Sequence, residues 1–232
     1  GTVAVGAGCA HVLVLDHHRR IGVSLFGGPG VPSCRLDYLA RTGSAGLDLE
    51  GLESAFKSGA RTFLFSNPNN PTGVIYSPAE TARIADLASR YGATVIVDQL
   101  YSRMLFRGEV YTHLRAQPID ADRVVTIMGP SKTESLSGYR LGVAFGAAHL
   151  IDRMEKLQAM VSLRAPGYSQ AVLRTWFAQD PAWLQDRTAK HEAIRDDLLK
   201  VLGAVPGLAV RLPQAGSYLF PRLPAVDVPL HA

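Results

Sequence analysis

Residues 62–101 read TFLFSNPNNPTGVIYSPAETARIADLASRYGATVIVDQLY, and they alternate between apolar runs and a helical pattern. The apolar runs at 63–65 and 94–97 predict strands, and the second lacks polar alternation, which is typical of a parallel strand covered on both faces. Between them, the SPAE tetrad at 77–80 predicts a capped helix start, and Gly92 predicts the helix end. A strand, a helix and a strand in this order predict one right-handed βαβ unit.

The same alternation continues towards the C-terminus. The run VVTIM at 124–128 repeats the pattern of a buried strand, and LGVAF at 141–145 predicts another strand. Three helical patterns follow: one with an apolar stripe over 150–161, one near 169–178, and one that begins at the capping pair DP at 180–181. Together these elements predict an α/β fold, with a mostly parallel sheet flanked by helices.

Two further apolar runs, at 208–212 and 217–220, come after the helices and predict strands of a separate unit. We therefore expect a large domain over residues 1–203 and the start of a small α+β domain over residues 204–232. Residue 1 is not methionine, and we expect the large domain to lack its N-terminal part and the small domain to be truncated.

Composition argues against several classes of partner. The chain has 232 residues and a net charge of +4, but its basic residues are scattered, so we expect no nucleic-acid partner. No apolar run approaches the ~18 residues of a membrane span, so we expect no membrane partner. The two cysteines, Cys9 and Cys34, lie outside any C-x-x-C spacing, which favours reduced thiols and a cytoplasmic location.

Polar residues follow three of the predicted strands at the point where each strand ends. These residues are SNPNNPTG at 66–73, DQLY at 98–101 and the Ser131-Lys132 pair. Ligands of open α/β sheets bind beyond the C-terminal ends of the strands. The sequence therefore predicts a ligand site where the three segments meet.

These three segments, followed by GYRLG at 138–142, resemble the class I/II aminotransferases, which are fold type I enzymes of the aspartate aminotransferase type. The resemblance covers roughly residues 60–220, the centre of a longer family chain. It implies the large domain of a pyridoxal 5′-phosphate (PLP)-dependent transferase, amino acid and 2-oxo acid substrates, and a homodimer with its active site at the interface.

The resemblance also implies three catalytic residues. Lys132 forms a Schiff base with PLP, because a lysine amine is both a nucleophile and a proton carrier. Asp98 pairs with the pyridine nitrogen, and Tyr101 and Asn70 donate hydrogen bonds to the phenolic oxygen of the ring. From the residues alone, Lys132 can also be a surface lysine, Asp98 a strand-end or helix-capping residue, and Asn70 a turn residue.

The implied phosphate contacts come from Ser131 and Arg140, the latter through a bidentate pair. Gly129 departs from the family pattern, since the position three before the lysine is often serine. Either one phosphate hydrogen bond is missing, or the glycine allows a close backbone approach. His17 or His18 falls near the place of the residue that stacks on the ring, although a solvated pair is the alternative.

The resemblance leaves several functions open. The expected one is transamination, in which an amino group passes from an amino acid to a 2-oxo acid through the Lys132 Schiff base. The same cofactor also supports carbon–sulfur lyases, decarboxylases and synthases. A PLP-sensing domain of a transcriptional regulator and a degenerate scaffold are the non-enzymatic alternatives.

Overall fold

The structure is a computed structural model that describes the backbone of residues 12–15 and 36–39, and residues 47–178 and 180–223 with their side chains. Its strands and longer helices are, in chain order, β1 (Val12–Leu15), β2 (Leu36–Leu39), α1 (Leu49–Lys57), β3 (Thr62–Ser66), α2 (Pro78–Tyr91), β4 (Thr94–Asp98), β5 (Val124–Met128), α3 (Pro130–Thr133), β6 (Val143–Phe145), α4 (Ala148–Val161), α5 (Gly167–Ala171), α6 (Pro181–Gly203), β7 (Ala209–Val210) and β8 (Pro221–Arg222).

The described strands form a six-stranded sheet in the order β2-β1-β3-β4-β5-β6, and β7 pairs with β8 separately. Neighbours from β2 to β5 run parallel, and β6 is antiparallel to β5 at the edge. The fold class predicted from the sequence, a mostly parallel sheet flanked by helices, is confirmed. The domain boundary after residue 203 falls at the end of α6 and stays a prediction.

The βαβ unit at the centre forms for the local reasons that the sequence indicates. The Ser77 hydroxyl accepts a hydrogen bond from the Glu80 N–H, and the Glu80 carboxylate accepts one from the Ser77 N–H, so that α2 begins with a full capping box. Gly92 ends the helix in the left-handed conformation, with φ of 60°. Strand β4 follows at once and pairs in parallel with β3.

Apolar residues from α1, α2 and the central strands form the main core. Phe56 of α1 and Phe63 of β3 are fully buried and meet edge to face, with ring centroids 6.5 Å apart. Each fully buried side chain of this size stabilises the fold by roughly 1.5–3 kcal/mol. The core therefore fixes the position of the C-terminal ends of β3 and β4, where the polar segments begin.

The C-terminal part differs from the sequence predictions in detail. The strand predicted over 141–145 is shortened to Val143–Phe145, and the helix near 169–178 is reduced to α5 and a 3-10 turn before Phe177, which has a left-handed φ of 70°. Residues 217–220 do not form a strand; the segment before them, 214–216, makes backbone hydrogen bonds with Gly73 and with residues 104–106. No helix in the described ranges has the length and apolar composition needed to cross a membrane.

The apolar stripes predicted on α4 and α6 are exposed to a large extent. On α4, 72% of Val161 is accessible, and on α6, 58% of Ile194 is accessible. Thr188 is the one buried residue that the structure describes in α6.

Candidate active site

Asp98 is the last residue of β4, where it pairs in register with Ser66 of β3 and Ile127 of β5. Its carboxylate oxygen Oδ1 accepts a hydrogen bond of 3.0 Å from the Leu100 N–H. Burial raises the pKa of Asp98, while the Leu100 N–H and the positive charge of Lys132 act in the opposite direction. The sheet edge thus presents a partly desolvated carboxylate, which a cationic partner would stabilise.

Tyr101 lies in the turn that follows β4 and is buried. Among the described residues its hydroxyl has no hydrogen-bond partner. The Tyr218 ring meets the Tyr101 ring edge to face with centroids 6.1 Å apart, but the two hydroxyls do not reach hydrogen-bond geometry. Burial raises the pKa of Tyr101 above its ordinary value, and Tyr218 and Asp98 raise it further. A neutral phenol is therefore held at this position, and its hydroxyl donates to no atom within the described ranges.

Lys132 lies in the short helix α3, immediately after β5. Its ammonium Nζ lies 6.0 Å from the centroid of the Tyr101 ring, and its charge acts on Asp98. Its backbone carbonyl accepts a hydrogen bond of 3.4 Å from the Arg187 guanidinium of α6. The amine, the carboxylate and the phenol that the sequence predicts as catalytic residues are therefore neighbours at one sheet edge.

The loop after β3 contains cis peptide bonds at Asn67-Pro68 and Asn70-Pro71. The Asn67 side-chain oxygen accepts a hydrogen bond of 3.1 Å from the Tyr76 N–H, which ties the start of the loop to its end. Asn70 is exposed, and its N–H donates to the Ser66 hydroxyl at 3.3 Å. In the described structure, the Asn70 side chain makes no hydrogen bond with Asp98, Tyr101 or Lys132.

Gly73 joins this loop to the segment 213–216. Its carbonyl accepts hydrogen bonds from the Gln214 N–H at 2.8 Å and the Ala215 N–H at 3.1 Å. Its φ is +66°, and a Cβ built on it would lie 2.4 Å from Pro213 Cβ and 2.7 Å from the Ala215 carbonyl oxygen. Only glycine fits this crossing of two chain segments.

Ser131 and Gly129 flank the start of α3. The Ser131 hydroxyl donates to the Leu141 carbonyl at 3.4 Å, at the long limit for a hydrogen bond. Gly129 has extended backbone, and a Cβ there would lie 3.0 Å from the Leu141 carbonyl oxygen and 3.3 Å from Leu100 Cδ2. The close approach that Gly129 permits in this structure is therefore to the protein's own backbone at residue 141.

Arg140 is exposed and has a left-handed φ of 53°. Its guanidinium donates to the Ser137 carbonyl at 3.0 Å, within its own turn. The structure thus brings together Asp98, Tyr101 and Lys132, whereas Arg140 makes no hydrogen bond or ion pair with any of the three in the part of the chain that the structure describes. His17 and His18 lie outside the described residues.

Two residues next to the site were not predicted from the sequence. The Tyr111 hydroxyl donates to the Asn67 carbonyl at 2.9 Å, and burial, with Asp98 as a second cause, raises the pKa of Tyr111. His113 contacts the Gln99 side-chain oxygen through Nδ1 at 3.1 Å, and burial lowers the pKa of His113. Both Tyr111 and His113 come from an irregular loop, which carries no periodic signal in the sequence.

Comparisons with known proteins identify the family of the chain. The family model for class I and II aminotransferases matches residues 33–230. The asparagine–oxo-acid transaminase of Streptococcus mutans is 30% identical over 179 residues, which cover 75% of this chain and 45% of that protein. The kynurenine–oxoglutarate transaminase 3 of Mus musculus is 29% identical over 179 residues, covering 74% of this chain and 39% of that protein.

Among solved structures, an aspartate aminotransferase from Rhodobacter sphaeroides is similar with a TM-score of 0.86 and 57% identity, covering 97% of this chain and 58% of that one. The aspartate aminotransferase from Rhizobium meliloti has a TM-score of 0.82 at 25% identity, covering 94% of this chain and 55% of that one. The chain spans less than half the length of the curated relatives it matches. With the family model matching most of its length, the chain belongs to the class I and II aminotransferases.

Proposed function

We propose that this chain carries the cofactor-binding half of a PLP-dependent aminotransferase, which moves an amino group from an amino acid to a 2-oxo acid. The observation that carries the proposal is the position of the Lys132 amine, 6.0 Å from the Tyr101 ring and within the electrostatic reach of Asp98. The relatives with transaminase names and the family membership support it.

The residues present fit PLP. Among the residues that the structure describes, the buried Tyr101 hydroxyl has no hydrogen-bond partner, and it would donate to the phenolic oxygen of the cofactor, with Asn70 as the second donor. Asp98 would pair with the protonated ring nitrogen, because burial makes its charge costly without a cation beside it. Ser131 and Arg140 would hold the phosphate, and Arg140 is exposed and thus accessible to it.

PLP, when bound, supplies an electron sink that stabilises negative charge at the substrate Cα. Lys132 Nζ would be the atom that bonds to the cofactor. The Lys132 amine would also carry the proton to and from the substrate Cα, since α3 holds it next to Tyr101. Asp98 would hold a proton on the ring nitrogen.

We propose a homodimer as the working form. Exposed apolar residues at and after the end of α4 support it, since large apolar side chains in one region indicate a surface that another protein surface covers. Met160, Val161, Leu163 and Tyr168 are each more than 70% exposed. Sedimentation of the purified protein should give a dimer, and a fully active monomer would contradict this proposal.

The experiment that tests the cofactor site is borohydride reduction of the PLP-loaded protein, followed by peptide mapping. We expect the pyridoxyl group on Lys132, and we expect Lys132→Ala to abolish transamination. Lys156 is the matched control, because it is an exposed lysine on α4, and Lys156→Ala should leave both labelling and turnover unchanged. An adduct on Lys156, or turnover by Lys132→Ala, would refute the assignment.

A further inference from the structure

An ion pair that lies outside the predicted site joins the two segments that carry its catalytic residues. The Arg103 guanidinium donates to the Glu134 carboxylate at 2.6 Å. Arg103 comes two residues after Tyr101, and Glu134 comes two residues after Lys132. The pair therefore links the turn after β4 directly to the end of α3.

The environment of this pair is unlike that of the other ion pairs in the described structure. Only 1% of the Glu134 side chain is exposed, compared with at least 20% for the acidic partner of every other pair. A carboxylate taken this far out of water needs a cation in a well-defined place. Arg103 is held there by its stacking on the Phe177 ring, with the guanidinium carbon 4.4 Å from the ring centroid.

The remaining contacts of the two side chains restrict their geometry further. The Thr133 hydroxyl also bonds to Glu134, so the Glu134 carboxylate is held both by its own helix and by Arg103. On the other side, residues 104–106 bond to the backbone of 214–216, which anchors the segment that carries Arg103. Contacts on the Glu134 side and on the Arg103 side therefore both restrict movement of one residue relative to the other.

Buried ion pairs contribute little net stability, and their best-supported role is to specify one geometry over others. We propose that the Arg103–Glu134 ion pair is a positioning element that sets the location of the Lys132 amine relative to Tyr101 and Asp98. This inference rests on the proposed function of Lys132 and assigns a role to two residues that do not touch the cofactor site themselves.

The test compares Arg103→Gln, Arg103→Lys and Glu134→Gln with the wild-type protein, all loaded with PLP. The readouts are kcat, KM, the thermal midpoint, and the pH midpoint of the visible absorbance that arises from the Lys132 nitrogen bonded to PLP. That pH midpoint depends on the distances from the Lys132 nitrogen to Asp98 and Tyr101, so it reports position rather than stability. Glu53→Gln is the control, because Glu53 pairs with Arg83 between α1 and α2, away from the site.

We expect Arg103→Gln and Glu134→Gln to lower kcat by about ten- to a hundredfold, the loss that a displacement of about 1 Å can cause. KM should change little, and the pH midpoint of the absorbance should move. Arg103→Lys, which keeps the charge, should show kcat and a pH midpoint between those of Arg103→Gln and the wild type. The control Glu53→Gln should change neither of them.

A thermal midpoint that falls while kcat and the pH midpoint stay at wild-type values would overturn the proposal, because the pair would then be merely structural. If the single variants do not fold, the double variant Arg103→Gln/Glu134→Gln, which buries no unpaired charge, must show the same loss of kcat and the same spectral change. A wild-type protein without PLP-dependent turnover would instead refute the proposed function.

Discussion

The crossing at Gly73 allows the strongest quantitative test of the structure. In Gly73→Ala, the new methyl group would lie 2.4 Å from Pro213 Cβ and 2.7 Å from the Ala215 carbonyl oxygen. The second neighbour is backbone that is itself bonded to the Gly73 carbonyl. Neither atom can move away without breaking the contact between the two segments.

The expected destabilisation has two parts. Overpacking of a close contact costs about 1–3 kcal/mol, and a side chain in the left-handed conformation, with φ of +66°, costs about 1–2 kcal/mol. The sum is about 2–5 kcal/mol. For a protein of this size, each kcal/mol lowers the thermal midpoint by about 2–4 °C, so the midpoint should fall by about 4–20 °C.

The variant Gly108→Ala measures the conformational cost without the steric cost. Gly108 also has a positive φ, of +83°, but nothing lies within 4 Å of the Cβ that alanine would add. This control should therefore lose only the conformational part, about 1–2 kcal/mol. Urea unfolding and thermal melts of the cofactor-free protein measure both variants. If Gly73→Ala is no less stable than Gly108→Ala, the contact with residues 213–215 does not exist as described.

Three further variants test the site and its support. Asp98→Asn keeps the acceptor for the Leu100 N–H but removes a charge that holds the ring nitrogen protonated, so kcat should fall by at least about a hundredfold; near-normal turnover would show that the pairing is wrong. Burial raises the pKa of Asp98, so the wild-type protein should lose stability as the pH rises through the folded-state pKa and Asp98 becomes charged. Asp98→Asn has no carboxyl group to titrate, so thermal melts of the cofactor-free variant should lack this loss and show higher stability than the wild type at neutral pH. Gly129→Ser would press against the Leu141 carbonyl at 3.0 Å, so we expect a loss of about 1–3 kcal/mol and no gain in PLP affinity; tighter binding in a PLP titration would favour a missing phosphate contact. Ser77→Ala removes the cap of α2 and should cost about 1 kcal/mol in urea unfolding, with kcat unchanged; a change in kcat would mean that α2 is coupled to the site.

The sequence predicted the centre of the fold because its signals there are local. The capping box at Ser77 and the left-handed Gly92 form within a few residues of chain, and the apolar run of β4 needs no distant information. Asp98 and Lys132 could be placed together because parallel strands end at a common edge. These predictions needed only the order of the strands.

Contacts that depend on irregular segments could not be predicted. Arg103 and Glu134 are ordinary surface residue types, and 31 positions separate them. Tyr111 and His113 reach the site from a loop without periodicity. Residues 217–220 have strand composition, yet they form no strand in the structure, and the residues just before them bond to distant loops that the sequence pattern does not reveal.

The uneven distribution of buried residues has a consequence for how the molecule opens. The main core lies between Leu47 and Val124, and beyond Val125 the buried apolar residues that the structure describes are few: Pro130, Leu141, Trp176, Pro213 and Ala215. Backbone amides in β3 and β4 should therefore exchange their hydrogens with solvent only when the whole domain unfolds, whereas those of α6 should exchange through local openings. Lys132 lies just after β5, between the part that should exchange slowly and the part that should exchange rapidly. An interaction that reduces local opening of the C-terminal part should therefore also restrict movement of the Lys132 amine.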